Sequence, residues 1–175
     1  MTSVPIGEIF ERCEMGLIDE NFRRHPVKYV LQCGLAGLTM AAVLLFLDAI
    51  SHTAIVASLG ASFFIAFTMP KTQASKPRPL IGGYLIGMST GSLCSMLADI
   101  CTFMGGSYIL FGALAVGVAI FLMVVTNTEH APAAGIALGL VINEWDGWTL
   151  LFILGAVVFL TVVKRLLRSV LINLI

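Results

Sequence analysis

The chain has 175 residues, enough for one domain, and 58% of them are hydrophobic whereas only 11% are charged. Ten basic residues balance ten acidic ones, so the formal net charge at pH 7 is zero. This composition is far from that of a soluble globular protein and excludes a soluble enzyme or a soluble binding domain.

Residues 1–28 precede the first long apolar segment, and we interpret them as a cytoplasmic arm. They are rich in acidic residues and lack the basic start and the small-residue cleavage site of a secretory signal. Apolar residues recur there at helical spacing, at Ile6, Ile9, Phe10, Cys13 and Leu17. This spacing is typical of an amphipathic helix at the membrane surface, and an arm that packs on its own protein explains it equally well.

Residues 29–175 form the predicted transmembrane domain. A helix needs roughly 20 apolar residues to cross the hydrocarbon core, with about 17 to 25 tolerated. The candidate spans, in chain order, are Tyr29–Leu47, Thr53–Met69, Pro79–Ala98, Ser107–Val125, Pro132–Asn143 and Trp148–Val163. The fifth is too short for a regular crossing, so the sequence predicts either a segment that turns back or one that crosses with help from irregular backbone.

The positions of the basic residues favour six crossings. If the fifth segment crosses, every lysine and arginine falls on the same side of the membrane as the two termini, as cytoplasmic loops require. These residues are Arg12, Arg23, Arg24, Lys28, Lys71, Lys76, Arg78, Lys164, Arg165 and Arg168. We therefore expect an all-α, multi-pass protein of the cell inner (plasma) membrane with both termini in the cytoplasm.

Six spans divide into two halves of three that enter the membrane from opposite sides, which is a 3+3 inverted repeat. Small residues at 57–62 and 130–135 predict that the second and the fifth spans are interrupted at matched positions. Interrupted helices of this kind are the best sequence pointer to the binding site of a transporter. Pro132 has no N–H and suits the first turn of a helix that starts there.

Two helix N-termini that converge near the membrane midplane would attract an anion, because their free N–H groups carry partial positive charge. No lysine or arginine lies in the inner part of a span, so the predicted site is weak and exchangeable. The predicted substrate-binding residues are Ser58, Gly60, Ala61, Ser62, His130, Pro132, Ala133, Ala134 and Gly135. The residues predicted for gating or for the inner mouth are Arg78, Tyr84 and Glu129.

Other interpretations of these residues stay open. Small residues in membrane helices commonly serve close packing, and we interpret the four-residue repeats Gly83, Gly87, Gly91 and Gly135, Gly139 in this way. The serine hydroxyls can bond their own helix backbone. His130 can titrate and couple transport to protons, and Glu129 and His130 are ordinary interfacial residues if they lie at the inner surface.

The sequence resembles the HPP family of integral membrane proteins. The resemblance lies in residues 57–62, in Met69-Pro70, in the run from Gln73 to Gly83, and in His130-Ala131-Pro132, which resembles the His-Pro-Pro motif with alanine at its second position. Tyr84 stands where a histidine commonly follows the two glycines. The resemblance implies a compact multi-span bundle, and it implies nitrite transport, with which plant and cyanobacterial relatives are associated.

We therefore expect a channel or transporter for a small inorganic anion, nitrite first, that works in the lipid bilayer and forms a homo-oligomer. The alternative is a membrane-embedded sensor or assembly subunit without transport activity. Glu129 with His130 is too little for a catalytic constellation, so no enzyme is expected. No cofactor, metal or nucleic-acid partner is expected.

Overall fold

The computed structural model describes residues 25–44, 53–101 and 107–174, and within these ranges every regular element is a helix. They are α1 (Pro26–Leu44), α2 (Thr53–Thr68), the 3₁₀ helix Gln73–Ser75, α3 (Pro77–Ile100), α4 (Ser107–Val125), α5 (Ala131–Ile142) and α6 (Gly147–Leu166). The all-α expectation is confirmed. Residues 1–24 of the proposed arm lie outside the described residues. Helix α1 begins at Pro26, three residues before the start of the predicted span.

Four of these helices are long and apolar enough to cross a membrane, namely α1, α3, α4 and α6. The other two are shorter: α2 has 16 residues and α5 has 12. At about 1.5 Å per residue, α5 extends about 18 Å, well short of a hydrocarbon core of about 30 Å. Large apolar side chains face outward on the long helices, for example Ile109 and Phe121 on α4, as expected of a surface that contacts lipid.

The predicted interruption of the second span is wrong, because α2 continues as a helix through residues 57–62. The hydroxyl groups of this stretch support the helix. Ser58 Oγ donates to Ala54 O at 2.9 Å, and Ser62 Oγ lies 3.2 Å from Ser58 O, in both cases one turn back along the chain. Gly60 faces α1, where an added Cβ would lie 3.9 Å from Met40 Cε. The small residues of α2 therefore permit close packing rather than a break in the backbone.

Helices that follow one another along the chain alternate in direction. Ser62 meets His130 at one end of the pair α2 and α5, and Gly139 meets Ile55 at the other, so these two helices are antiparallel. In contrast, α3 and α5 are parallel. An added Cβ on Gly87 would lie 2.2 Å from Ala133 O, and one on Gly91 would lie 2.7 Å from Ala137 O. The prediction that these glycines form a packing face is confirmed.

The shortest helix, α5, is at the centre of the bundle and packs against α2, α3 and α4. Most of its residues are buried: Pro132, Ala133, Ile136, Ala137, Gly139, Leu140 and Val141. A helix that is apolar all round and made largely of small residues can occupy such a position, because neighbouring backbones can approach it closely on every side.

Helix α6 begins at a capping box. The Asp146 carboxylate accepts from the Thr149 N–H at 2.8 Å and from the Thr149 hydroxyl at 2.8 Å. These two hydrogen bonds stabilise the charged carboxylate and hold the pKa of Asp146 below its ordinary value. The start of α6 is also tied to α3, since the Trp145 indole N–H donates to Ser95 Oγ at 3.0 Å.

After α6 the chain folds back beneath α1 and α2. Leu174 N donates to Thr68 O at 2.8 Å, and the Tyr29 hydroxyl donates to Leu174 O. The Gln32 side chain is buried between these segments; its amide N–H donates to Phe67 O and, at 2.7 Å, to Ile172 O. The two ends of the described chain therefore lie at the same end of the bundle.

Every lysine and arginine of the described residues lies at that same end. These residues are Lys28 near the start of α1, Lys71, Lys76 and Arg78 around the 3₁₀ helix, and Lys164, Arg165 and Arg168 at the end of α6. Asp99, Glu144 and Asp146 lie at the opposite end, where α3 finishes and α6 begins. We refer to the two as the basic end and the acidic end.

Candidate functional site

His130 occupies the connection between α4 and α5 and is almost completely buried. The chain reverses at Asn127, whose φ of 53° lies in the left-handed region that asparagine tolerates well. His130 itself has an extended backbone and immediately precedes the first turn of α5. The predicted start of a helix at this point is confirmed, with Pro132 in its first turn.

Two glycines of α3 allow this connection to approach. An added Cβ on Gly82 would lie 2.8 Å from Thr128 Cγ2, and one on Gly83 would lie 2.9 Å from His130 Cβ. A larger side chain at Gly82 would push against Thr128, and one at Gly83 would push His130 away from α3. The Gly-Gly pair that contributed to the family resemblance therefore has a direct steric reason.

The His130 ring joins a hydrogen-bonded group that we call the buried polar cluster: Ser58, Ser62, Tyr84 and His130. Ser62 Oγ lies 2.8 Å from His130 Nε2 and 2.7 Å from the Tyr84 hydroxyl. The Tyr84 hydroxyl is also 3.2 Å from Ser58 O. The Tyr84 and His130 rings are in contact, with centroids 5.6 Å apart.

The backbone partner of His130 defines its tautomer. Nδ1 lies 2.9 Å from Ala74 O, and a carbonyl can only accept, so Nδ1 carries a proton. In the neutral ring, Nε2 then accepts from the Ser62 hydroxyl, which in turn accepts from Tyr84. Each of these donors has an acceptor within the protein.

The same cluster can also hold a protonated His130. Nε2–H would then donate to Ser62 Oγ, and the Ser62 hydroxyl would turn to Ser58 O or to Tyr84. The Tyr84 hydroxyl would donate to Ser58 O. Because the chain of hydroxyl groups can reverse, a change in the protonation of His130 leaves no buried donor without an acceptor.

The structure brings some of the predicted site residues together and separates others. Ser58, Ser62, His130 and Tyr84 meet in the cluster, although Tyr84 was assigned to the inner mouth. The first turn of α5 lies beside them: Pro132 and Ala133 are buried, Ala134 packs against the core, and Gly135 faces Ser58. Gly60 points toward α1 and Ala61 is exposed.

The two charged residues assigned to the inner mouth lie outside the cluster. Glu129 is exposed, and so is Arg78, whose guanidinium donates to Thr126 O at 3.1 Å. Arg78 therefore ties the start of α3 to the turn after α4.

The predicted convergence of two helix N-termini is wrong. Helix α5 begins at the cluster, but the N-terminus of α2 lies beside the C-terminal half of α5, where Ile55 contacts Gly139. The reason is that α2 is unbroken and antiparallel to α5. Side-chain hydroxyls and an imidazole, rather than two helix dipoles, provide the polar groups of this site.

A second feature opens next to the cluster at the basic end. It is a cavity of about 540 Å³ between the segment around the 3₁₀ helix and the end of α6, and we call it the basic cavity. Its lining residues are Pro70, Lys71, Ser75, Lys76, Pro77, Leu80, Thr161, Lys164, Arg165, Arg168 and Leu171. The sequence placed these cations on one side of the membrane without showing that they surround one space.

The 3₁₀ helix connects the cavity to the cluster. Ala74 O accepts from His130, and the next residue, Ser75, accepts from the Lys164 ammonium group through its carbonyl oxygen and its hydroxyl. A displacement of this short helix would therefore be felt at both places. This link was not predicted from the sequence, and neither was the role of Gln32, whose isolated amide in an apolar segment was the available signal.

The close contact between Gly135 and Ser58 predicts that a larger residue at position 135 destabilises the protein. An added Cβ on Gly135 would lie 2.3 Å from Ser58 Oγ but 3.5 Å from Ser58 Cβ. We expect Gly135→Ala to destabilise the protein by about 1 kcal/mol or more, as overpacking does, and Ser58→Ala to rescue it in the double variant. Thermal unfolding of the wild type, the two single variants and the double variant in one detergent measures the coupling between the two positions. Equal unfolding midpoints for Gly135→Ala and for the double variant would contradict the contact.

Comparison with known proteins gives one family and one relative. The family profile described as HPP, transmembrane region, matches residues 22–173. A transmembrane protein of Dictyostelium discoideum is 30% identical over 102 residues, which cover 57% of this chain and 35% of the relative. The chain thus aligns with about a third of that protein's length. No solved structure matches the chain.

Proposed function

This chain belongs to the HPP transmembrane family, and from that premise we propose that it passes a small inorganic anion, with nitrite as the first candidate, across the membrane. The observation that carries the proposal is the buried polar cluster. An imidazole and three hydroxyl groups lie inside a multi-pass apolar bundle, where packing alone would favour apolar side chains. Ionisable residues within membrane segments usually mark a pathway for a substrate or a proton.

We also propose that the chain crosses the plasma membrane six times and has both termini in the cytoplasm. The alternating helix directions support this topology, and so does the gathering of the described cations at one end, which is the cytoplasmic end by the positive-inside rule. Helices α2 and α5 would cross together with the irregular backbone next to them. A 3+3 inverted repeat is supported by the antiparallel pair α2 and α5, the matched second helices of the two halves.

The chemistry of the cluster suits a weakly held anion. Hydroxyl groups donate hydrogen bonds to an anion without the permanent positive charge that would trap it, and Nε2 of His130 adds an N–H donor when the ring is protonated. In the described conformation each of these groups already has a partner within the protein. An anion would therefore bind by entering the Ser62–His130 hydrogen bond, where it accepts from the Ser62 hydroxyl and from Nε2–H of a protonated His130, and the cluster would close again behind it. The flux is either passive or coupled to protonation of His130.

The experiment is uptake of nitrite, nitrate, formate, chloride and sulfate into proteoliposomes that contain the purified protein. We expect saturable uptake of one anion and, in Ser62→Ala, a decrease of about 10-fold or more, because a hydrogen bond to a charged group contributes about 1.5–3 kcal/mol. Ser89→Ala is the matched control, since Ser89 is an exposed α3 residue whose hydroxyl bonds Leu85 O. Equal uptake by the two variants would place the anion elsewhere, and selective cation conductance without anion flux would refute the proposal.

A sensor or assembly subunit without transport activity is the second candidate. The observation that favours it is that every donor of the cluster is satisfied within the protein, as in a structural latch. In that case Ser62→Ala would lower stability, and folded wild-type protein would pass no anion. Assembly as a homo-oligomer is compatible with both candidates and stays a prediction; the oligomeric state in detergent would test it.

A further inference from the structure

The basic cavity concentrates positive charge in a way that topology alone does not require. Its five cations come from two distant parts of the chain, Lys71 and Lys76 beside the 3₁₀ helix and Lys164, Arg165 and Arg168 near the end of α6. None of the described residues that line it is acidic. Lys28 and Arg78 lie at the same end of the bundle but do not line the cavity. The positive-inside rule explains on which side these residues lie but not their convergence on one space.

Like charges that share a concave space repel one another, and a bound anion removes this cost. Lys164 is already engaged, because its ammonium group donates to Ser75. The other four cations are exposed at the cavity wall. Two of them are arginines, whose planar guanidinium groups match the geometry of phosphate oxygens and can donate two hydrogen bonds at once.

The size and the remaining walls of the cavity indicate the class of ligand. About 540 Å³ lies within the range of roughly 300–1,000 Å³ that is typical of sites for organic ligands, and is far more than a three-atom anion needs. Pro70, Pro77, Leu80 and Leu171 supply apolar walls beside the cations. A ligand that fills this space combines several negative oxygens with an apolar or neutral portion.

We propose that the basic cavity is a binding site for a phosphate-bearing organic anion, either the headgroup of an anionic phospholipid or a soluble organophosphate. Basic pockets at the cytoplasmic ends of membrane helices commonly hold such headgroups. The ligand lies between the loop around the 3₁₀ helix and the end of α6 and joins them through Lys76 and Arg168. This proposal does not depend on the proposed transport function, because the test measures ligand binding and needs no anion flux.

The test uses the full chain in nanodiscs of phosphatidylcholine, with dioctanoyl phosphatidic acid as the lipid probe and glycerol 3-phosphate as the soluble probe. Dioctanoyl phosphatidylcholine is the neutral control. Ligand binding raises the thermal-unfolding midpoint, and native mass spectrometry counts the bound molecules. The variant Lys76→Gln with Arg168→Gln removes two exposed cations of the cavity. Lys28→Gln with Arg78→Gln removes the same charge from the same end outside the cavity.

We expect the cavity variant to bind its probe about 10-fold more weakly or worse, because it loses charge-assisted hydrogen bonds to the phosphate, and the control variant to bind as the wild type does. Each variant is compared with its own midpoint without ligand, which separates binding from a change in stability. Binding of phosphatidic acid alone identifies the lipid as the source, and binding of glycerol 3-phosphate identifies the soluble one. Equal losses in the two double variants, or no binding of either probe by the wild type, would overturn the proposal.

Discussion

Replacing His130 with leucine is expected to abolish anion flux and to lower the free energy of unfolding by about 1–3 kcal/mol, the cost of a buried polar group without a partner. Leucine fits an apolar site but offers neither ring nitrogen. Ala74 O would lose its donor, and the Ser62 hydroxyl would turn back to Ser58 O. Flux is lost because leucine cannot donate the Nε2–H that a protonated His130 offers to an anion.

Uptake into proteoliposomes and thermal unfolding measure the two effects separately. His25→Leu is the matched control, since this exposed histidine precedes α1, and Glu129→Gln tests the exposed neighbour. His130→Asn adds a further distinction, because its amide N–H can replace Nδ1–H toward Ala74 O without reaching Ser62. We expect it to recover stability but not flux. Normal flux in His130→Leu would remove the cluster from the transport pathway.

Gly87→Ala is expected to be the most destabilising single-methyl change in the described helices. Its Cβ would lie 2.2 Å from Ala133 O and 3.1 Å from the carbonyl carbon, so the clash is with the backbone of α5 and no side-chain rotation relieves it. The two helices would have to separate along their shared face. Overpacking of this kind costs typically about 1–3 kcal/mol and sometimes more.

Gly117→Ala is the matched control for this change, because an added Cβ at Gly117 on α4 meets nothing within 4 Å. There alanine should leave stability unchanged or raise it by about 0.5–1 kcal/mol, since glycine is the poorer helix former. Thermal unfolding of both variants in the same detergent gives the comparison. A midpoint for Gly87→Ala as high as that for Gly117→Ala would contradict the close approach of α3 and α5.

The sequence indicated the polar residues of the candidate site because polar side chains stand out in apolar segments. Ser62 and His130 were singled out separately and lie 68 residues apart, and Tyr84 was noted as an unusual residue after two glycines. Their mutual hydrogen bonds could not be derived, because they depend on the register of α2 against α5. The same register decides that Gly135 faces Ser58.

The small-residue stretch 57–62 shows where sequence reasoning reached the wrong structure. Serine and glycine lower helix propensity, and their pattern is compatible with a broken helix or with a closely packed one. In α2 the serine hydroxyls bond the carbonyls of the preceding turn. The polar side chains therefore have partners within a continuous helix, and no break is needed. Neighbouring helices rather than local preference decide between these two outcomes.

Composition and periodicity by themselves determined the all-α class, the apolar helices and the place where α5 begins, because burial in lipid and the geometry of proline act locally along the chain. Only the tertiary structure decided that α2 is unbroken, that one histidine bonds α2 and the 3₁₀ helix, and that cations from Lys71 to Arg168 surround one cavity. These features depend on which helix faces meet. Small-residue faces such as those of α3 and α5 can pack in several registers, and side chains from the whole bundle together select one.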